Sequence, residues 1–314
     1  MINEEIIETI AELRHFVCYH NEFLAAYEGV LGCMSRSISF NRPIGCLLLG
    51  KGGVGKSTVC KLIKAKNKPE AVTTNGYVKR IVKVFYMPVP SPVTIKSLTI
   101  RMLEELGSND HSGTSEQLNY RLRTLLRECN TKLIMLDEFH HIYNANALKT
   151  RSTENVANWI KTLADESKVT ICLVGLPDIQ SKLHLDSQLQ RRFSYVYTLN
   201  PLSLSENSAE IFKNFLKHTE EFCHKKLATR FDPSLISHSM LKRIYLATGG
   251  IQAYVIQLIQ ESCIKALSSQ RKVVTIDDFH YAFSLNSTIY LPLTKKAVFL
   301  ISQAELNNIV ESTI

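Results

Sequence analysis

The chain has 314 residues, 45% of them hydrophobic, which is enough for one large or two modest domains with a substantial core. Its apolar runs are too short to span a bilayer and it opens with an acidic, amphipathic segment, so we expect a soluble cytoplasmic protein with no membrane partner. The net charge of +8 favours a polyanionic partner, and eight scattered cysteines without CxxC pairs argue against zinc or disulfide frameworks.

Residues 1–40 predict an N-terminal helical extension, since apolar residues recur at helical spacing between Glu22 and Gly32. A short apolar run follows at 44–49 and is typical of a buried parallel strand. A helix is predicted from Thr58 to Lys66.

Between this strand and this helix, residues 50–57 read Gly-Lys-Gly-Gly-Val-Gly-Lys-Ser and complete the eight-residue P-loop pattern. Its glycines let backbone N–H groups face phosphate oxygens, and the following helix N-terminus favours negative charge. Lys56 is expected to reach the β- and γ-phosphates, and Ser57 to ligate Mg²⁺. The predicted ATP-binding residues are Gly50, Lys51, Gly52, Gly53, Val54, Gly55, Lys56, Ser57 and Thr58.

Alternating strands and helices continue beyond the P-loop. The pattern predicts strands at 80–87, 132–136, 169–174 and 195–199, with helices at 94–106, from the Thr114–Gln117 capping box onward, and at 153–166. This order predicts an α/β fold with a parallel sheet flanked by helices over residues 41–202. From about 203 the pattern is all-helical, which predicts a small helical lid domain at 203–284 and a tail at 285–314. The apolar character of the tail favours packing on the lid, and the alternative is that the tail reaches a partner.

An apolar strand at 133–136 ends in two carboxylates, which is the Walker B pattern. Asp137 is expected to hold the Mg²⁺ shell, and Glu138 to orient and polarise the attacking water. His140 and His141 follow directly. Because Mg²⁺ prefers oxygen ligands, we expect these histidines to have a structural or communicating role.

Arg191 and Arg192 end a predicted helix just before the last strand. They are candidates for a catalytic arginine supplied to the nucleotide of a neighbouring subunit, which in related enzymes raises the rate by about 10³–10⁵. The alternative is a pair of surface arginines that cap a helix C-terminus.

Together these elements resemble the AAA+ ATPases, and among them the TniB/TnsC family of transposition regulators. The resemblance covers about residues 15–285 and depends on Tyr19-His-Asn-Glu-Phe23, the P-loop, Leu136-Asp-Glu-Phe-His-His141, Val174-Gly-Leu-Pro177 and Gln188-Leu-Gln-Arg-Arg-Phe193. It implies ATP and Mg²⁺ as cofactors and a homo-oligomeric ring or helical filament around double-stranded DNA. It also implies a link between a TniQ-type target selector and a TnsB-type transposase, sometimes with TnsA, in Tn-seven-like and CRISPR-associated elements.

The resemblance also implies DNA-backbone contacts at the starts of the two helices after the second strand. Carried onto this chain, these places are Lys96 and Thr114, with Arg101, Arg121 and Arg123 as weaker candidates. The alternatives are that Thr114 only caps its helix and that Lys96 is a solvated flank residue.

Two positions depart from the family pattern. Leu176 stands where a polar sensor is usual, and the segment Ile251–Tyr254 offers Gln252 but no arginine after the Gly-Gly break. We therefore expect slow, assembly-dependent hydrolysis. Two other functions stay open, namely a helicase loader or replication initiator and a nucleotide-dependent signalling switch that binds no DNA.

Overall fold

A computed structural model describes residues 4–17, 19–74, 76–144, 151–184, 187–205, 208–285, 290 and 292–313. The chain forms two compact units. One, the α/β unit, contains residues 21–51 and 56–199. The other, the helical unit, contains residues 1–20, 52–55 and 200–314.

The regular elements are numbered in chain order. The helices are α1 (Glu4–Ala11), α2 (Asn21–Ser39), α3 (Lys56–Lys66), α4 (Ile95–Leu106), α5 (Ser115–Glu128), α6 (His141–Asn144), α7 (Arg151–Ser167), α8 (Asp178–His184), α9 (Ser187–Arg192), α10 (Ala209–Leu227), α11 (His238–Thr248), α12 (Gln252–Ser268), α13 (Ile276–Leu285) and α14 (Gln303–Thr313), with a 3₁₀ turn at Glu12–His15. The strands are β1 (Cys46–Gly50), β2 (Glu70–Thr74), β3 (Tyr77–Ile81), β4 (Val84–Pro88), β5 (Leu133–Asp137), β6 (Thr170–Gly175), β7 (Tyr195–Leu199), β8 (Arg230–Asp232) and β9 (Val273–Thr275).

The α/β unit is built on a parallel sheet with the strand order β4-β5-β6-β1-β7. β1, β5 and β6 are buried along their whole length, and their sequences are apolar runs without polar alternation, with Asp137 and Thr170 as polar residues at strand ends. β6 separates β1 from β5, and the register pairs Leu48 with Val174 and Met135 with Cys172. All five strands end at the same edge of the sheet, which confirms the predicted α/β class.

The region before β4 differs from the sequence prediction of a single strand over 80–87. β3 ends at Ile81, and β2 and β3 form an antiparallel hairpin of their own. The division falls at Val82, whose side chain is buried and whose N–H donates to the carbonyl of Cys129 at 2.8 Å. The continuous β-branched pattern therefore hides a change of pairing partner, because hairpin and sheet strands favour the same residue types.

The helical unit has its own apolar core, formed by α10 to α13 together with both ends of the chain. Ile10 and Leu13 near the start, and Val298, Leu306 and Val310 near the end, are buried in this core. Buried Arg243 on α11 donates to the carbonyls of Val298 and Ile301. The tail thus packs on this unit, as its apolar pattern predicts, although the predicted apolar residues 289 and 291 lie outside the described residues.

Across the described ranges, no helix is both long enough and apolar enough to cross a membrane.

Candidate nucleotide site

Lys56 opens α3 at the end of the P-loop, and its ammonium turns back onto the loop. Its Nζ donates to the carbonyls of Gly50 and Lys51, each at 2.8 Å. The side chain is buried, and this burial lowers the pKa of Lys56, although the nearby carboxylates of Asp137 and Glu138 act in the opposite direction. The loop therefore holds a buried cation at the place predicted for phosphate recognition.

Gly53 lies in the middle of the loop and packs within the helical unit. Its φ of +78° is a backbone conformation that side-chain-bearing residues rarely adopt. A Cβ built on Gly53 would lie 2.9 Å from atoms of Ile251 and Ala253. The Ala253 N–H donates to the Gly53 carbonyl at 3.1 Å. Glycine is thus required here by both backbone geometry and space.

Asp137, at the end of β5, is the centre of the polar network in the α/β unit. Its Oδ2 accepts from the Ser57 hydroxyl at 2.7 Å and from the Tyr86 hydroxyl at 2.6 Å. Its Oδ1 accepts from the Glu138 N–H at 2.8 Å. The carboxylate is only 3% exposed, and these bonds supply the partners that a buried charge needs.

Tyr86, on β4, was not predicted as a site residue. Burial raises the pKa of its hydroxyl, and the hydrogen bond to Asp137 raises it further, so Tyr86 is a stable neutral donor. The sequence offers one signal, a tyrosine two residues before the end of a strand that neighbours β5. That signal becomes specific only when the strand order and register are known.

The donor set around Asp137 fits Mg²⁺. Ser57 and Asp137 bring a hydroxyl and a carboxylate oxygen within 2.7 Å of each other, although the residues are 80 positions apart in the chain. A hard cation such as Mg²⁺ takes oxygen ligands of this kind. The predicted pair of magnesium ligands is therefore brought together by the fold.

Glu138 occupies the turn directly after Asp137. Its φ of +57° is uncommon for a residue with a side chain and is a local strain of the type found at functional sites. The side chain is half exposed, and its Oε2 lies 3.2 Å from Nε2 of His140. The predicted base is thus accessible and contacts one of the two histidines that follow it.

The two candidate arginines at the end of α9 differ in their surroundings. Arg192 forms an ion pair with Asp165 on α7, and its backbone carbonyl accepts from the Gly45 N–H at 2.9 Å. Arg191 is exposed, with no ion pair among the described residues. Asp186, at the start of the motif, lies outside those residues.

The candidate DNA contacts lie at the N-termini of α4 and α5. Each helix begins with a capping box, Thr94 with Ser97 in α4 and Thr114 with Gln117 in α5. Thr114 is therefore engaged in capping, as the alternative interpretation expects. Lys96 is exposed on the first turn of α4, with no salt bridge in the described part of the chain.

The weaker basic candidates are all paired with acidic neighbours. Arg101 bonds to Glu104, and Arg123 to Glu166. Arg121 lies 2.8 Å from a carboxylate oxygen of Asp110. Their charges are partly compensated, whereas the Lys96 ammonium is available to an external anion.

Two positions depart from the pattern that the sequence resembles, Leu176 after β6 and Gln252 at the start of α12. Leu176 follows Gly175 at the end of β6 and offers no polar group. Gln252 begins α12 and lies 3.3 Å from Nε2 of His20, within the helical unit. Its amide contacts this histidine. Because glutamine is uncharged, the position carries no arginine-like charge.

The family model described as Bacterial TniB protein matches residues 28–200, which is more than half of the chain. A search of curated proteins gave no significant match.

Two solved structures from Aeropyrum pernix are similar. The ORC2 protein in ADPNP–ADP complexes has a TM-score of 0.58 and 14% identity over 83% of this chain and 67% of that one. The ORC1 protein in complex with DNA has a TM-score of 0.56 and 14% identity over 87% of this chain and 66% of that one. The chain thus spans about two thirds of the length of these proteins, and identity at this level establishes a shared fold.

The parallel sheet, the P-loop between β1 and α3, and the carboxylates at the end of β5 define an AAA+ ATPase fold. Within that class, the chain belongs to the TniB family. Both features confirm what the sequence motifs indicate.

We predict that Tyr86→Phe lowers the stability of the α/β unit by about 2 kcal/mol, because Asp137 keeps its buried charge and loses a hydrogen bond. Urea denaturation followed by far-UV circular dichroism measures the change. Tyr120→Phe is the matched control, since the Tyr120 side chain is 71% exposed. Equal midpoints for Tyr86→Phe and the wild type would contradict the role assigned to this hydroxyl.

Proposed function

We propose that this protein binds ATP with Mg²⁺ at the P-loop. The observation that carries the proposal is the convergence of the Lys56 ammonium, the Ser57 hydroxyl and the Asp137 carboxylate at the ends of β1 and β5. Lys56 and the P-loop amides bind the phosphates, and Ser57 and Asp137 hold the metal. Mg²⁺, when bound, neutralises charge that develops on the phosphate oxygens.

Hydrolysis in this proposal depends on Glu138. Its carboxylate is accessible and next to Asp137, where it orients a water molecule and accepts its proton. The missing polar sensor at Leu176 and the missing arginine near Gln252 favour slow turnover. Slow turnover suits a protein whose ATP-bound assembly is the signal and whose hydrolysis resets it.

Glu138→Gln should abolish ATP turnover while leaving ATP binding intact, because the amide keeps the size of the side chain and loses its basicity. Single-turnover hydrolysis and equilibrium binding of a fluorescent ATP analogue measure the two effects. Lys56→Ala is the contrasting variant, in which we expect binding itself to be abolished. Turnover in Glu138→Gln close to that of the wild type would reject the assigned base.

Oligomerisation is the second part of the proposal. Arg191 is exposed at the end of α9, and we infer that it reaches the nucleotide of a neighbouring copy in a ring or helical filament. Arg192 is the lesser candidate, because its pair with Asp165 fixes α9 against α7. In this scheme Arg192 positions Arg191, and assembly completes the catalytic site.

Double-stranded DNA is the proposed polyanionic partner. Lys96 and the N-termini of α4 and α5 present an exposed ammonium and helix ends, both of which favour phosphate. One lysine per subunit binds weakly, but an assembly repeats the contact and multiplies its effect. The net charge of +8 and the similarity to a protein solved in complex with DNA both support this part of the proposal.

Family membership supports a role in transposition. We propose that the assembled protein links a TniQ-type target selector to TnsA/TnsB-type transposase subunits. A helicase loader or replication initiator would share the ATPase residues, and the ORC-like fold is compatible with it. Dependence on a transposase separates these two functions, and DNA-stimulated assembly separates both from a switch that binds no DNA.

Lys96→Ala should weaken DNA binding similarly for all sequences, because an interaction with phosphate carries no base information. The magnitude of the slope of log affinity against log salt should fall by about 1 for each bound subunit, since each subunit loses one phosphate contact. Fluorescence anisotropy with duplex DNA at several salt concentrations measures both quantities. Lys217→Ala, an exposed lysine on α10, is the matched control. Unchanged affinity and slope in Lys96→Ala would place the DNA surface elsewhere.

A further inference from the structure

Glu138, His140 and His141 form a compact cluster at the turn that follows β5. The Glu138 Oε2 lies 3.2 Å from Nε2 of His140 and 3.8 Å from Nε2 of His141. One ligand atom from each residue falls within 4.8 Å of the other two. The imidazole rings are tilted against each other, with their centroids 4.5 Å apart.

These spacings are close to those around a tetrahedral metal ion. Zinc bonds to histidine nitrogen and carboxylate oxygen are about 2.0–2.1 Å long, so tetrahedral ligand atoms lie about 3.3–3.4 Å apart. The two Glu138–histidine distances fall on either side of that value. Two imidazole nitrogens and one carboxylate are a donor set for zinc and similar divalent transition metals, whereas magnesium prefers oxygen alone.

The position of His140 is fixed by the fold. Its side chain is only 12% exposed, against 45% for His141, and it packs beside Gly175 at the end of β6. Nδ1 of His140 is buried without a hydrogen-bond partner in the described residues. The nitrogen of His140 that faces the Glu138 carboxylate is Nε2, which is therefore the candidate ligand atom.

We propose that Glu138, His140 and His141 form a three-ligand site for a divalent transition metal, with Zn²⁺ as the best match. Three protein ligands leave a fourth position for water, as in open zinc sites. On the basis of the proposed function, a bound ion engages the Glu138 carboxylate and withdraws it from the attacking water. The site is therefore inhibitory, and it is distinct from the magnesium ligands Ser57 and Asp137.

The direct test is isothermal titration of the EDTA-treated, dialysed full-length protein with zinc chloride. We expect saturable binding of a single ion per chain. His141→Ala and Glu138→Gln should weaken the affinity by about 10–100-fold, at least as much as the loss of an outer-shell partner. His224→Ala, an exposed histidine on α10, is the matched control and should bind as the wild type does.

Because the His141 side chain is half exposed, His141→Ala should leave the fold intact, and circular dichroism checks this. Absence of saturable binding, or equal affinity in the wild type and both cluster variants, would overturn the site.

ATPase assays with excess magnesium test, separately from zinc binding, whether the bound zinc inhibits ATP hydrolysis. Zinc should inhibit the wild type, and His141→Ala should need at least about tenfold more zinc for the same fractional loss relative to its own zinc-free rate, in line with its weaker affinity. Zinc binding without inhibition would contradict the claim that bound zinc keeps the Glu138 carboxylate from the attacking water, but it would not contradict the metal site itself. A wild type that hydrolyses no ATP would contradict the proposed function, while the titration would still decide the metal site.

Discussion

The buried carboxylate of Asp137 is the interaction on which the rest of the candidate site depends. It joins the end of β5 to two elements that are distant in the chain, through Ser57 on α3 and Tyr86 on β4, and it also accepts from the backbone N–H of the neighbouring Glu138. A buried charge is stable only with such partners, so the network fixes α3, β4 and the end of β5 relative to one another within the α/β unit. The placement of Lys56 and Glu138 follows from that arrangement.

The sequence predicted the parts of this site that depend on local chain geometry. A glycine-rich loop between a strand and a helix, and two carboxylates at the end of an apolar strand, each define their chemistry within about eight residues. The pairing of Ser57 with Asp137 also followed, because each motif implies a ligand of the same metal ion. Tyr86 could not be predicted, since its role depends on β4 lying next to β5.

The same limit applies to the hairpin and to the histidines. Residues 70–88 contain three strands with similar composition, and the hydrogen bond from Val82 to Cys129 shows where the pairing changes. His140 and His141 are visible in the sequence, but their approach to Glu138 depends on the left-handed turn at Glu138. The different surroundings of Arg191 and Arg192 likewise depend on Asp165, which is distant in sequence.

The central claim is that nucleotide drives this protein to assemble on DNA. Negative-stain electron microscopy of the purified protein, with and without a non-hydrolysable ATP analogue and with and without duplex DNA, tests it most directly. The account predicts rings or filaments threaded by duplex only when nucleotide is present. Monomers under every condition would contradict the shared nucleotide site and the role of Arg191, and would leave a TniB-family protein that acts without assembly.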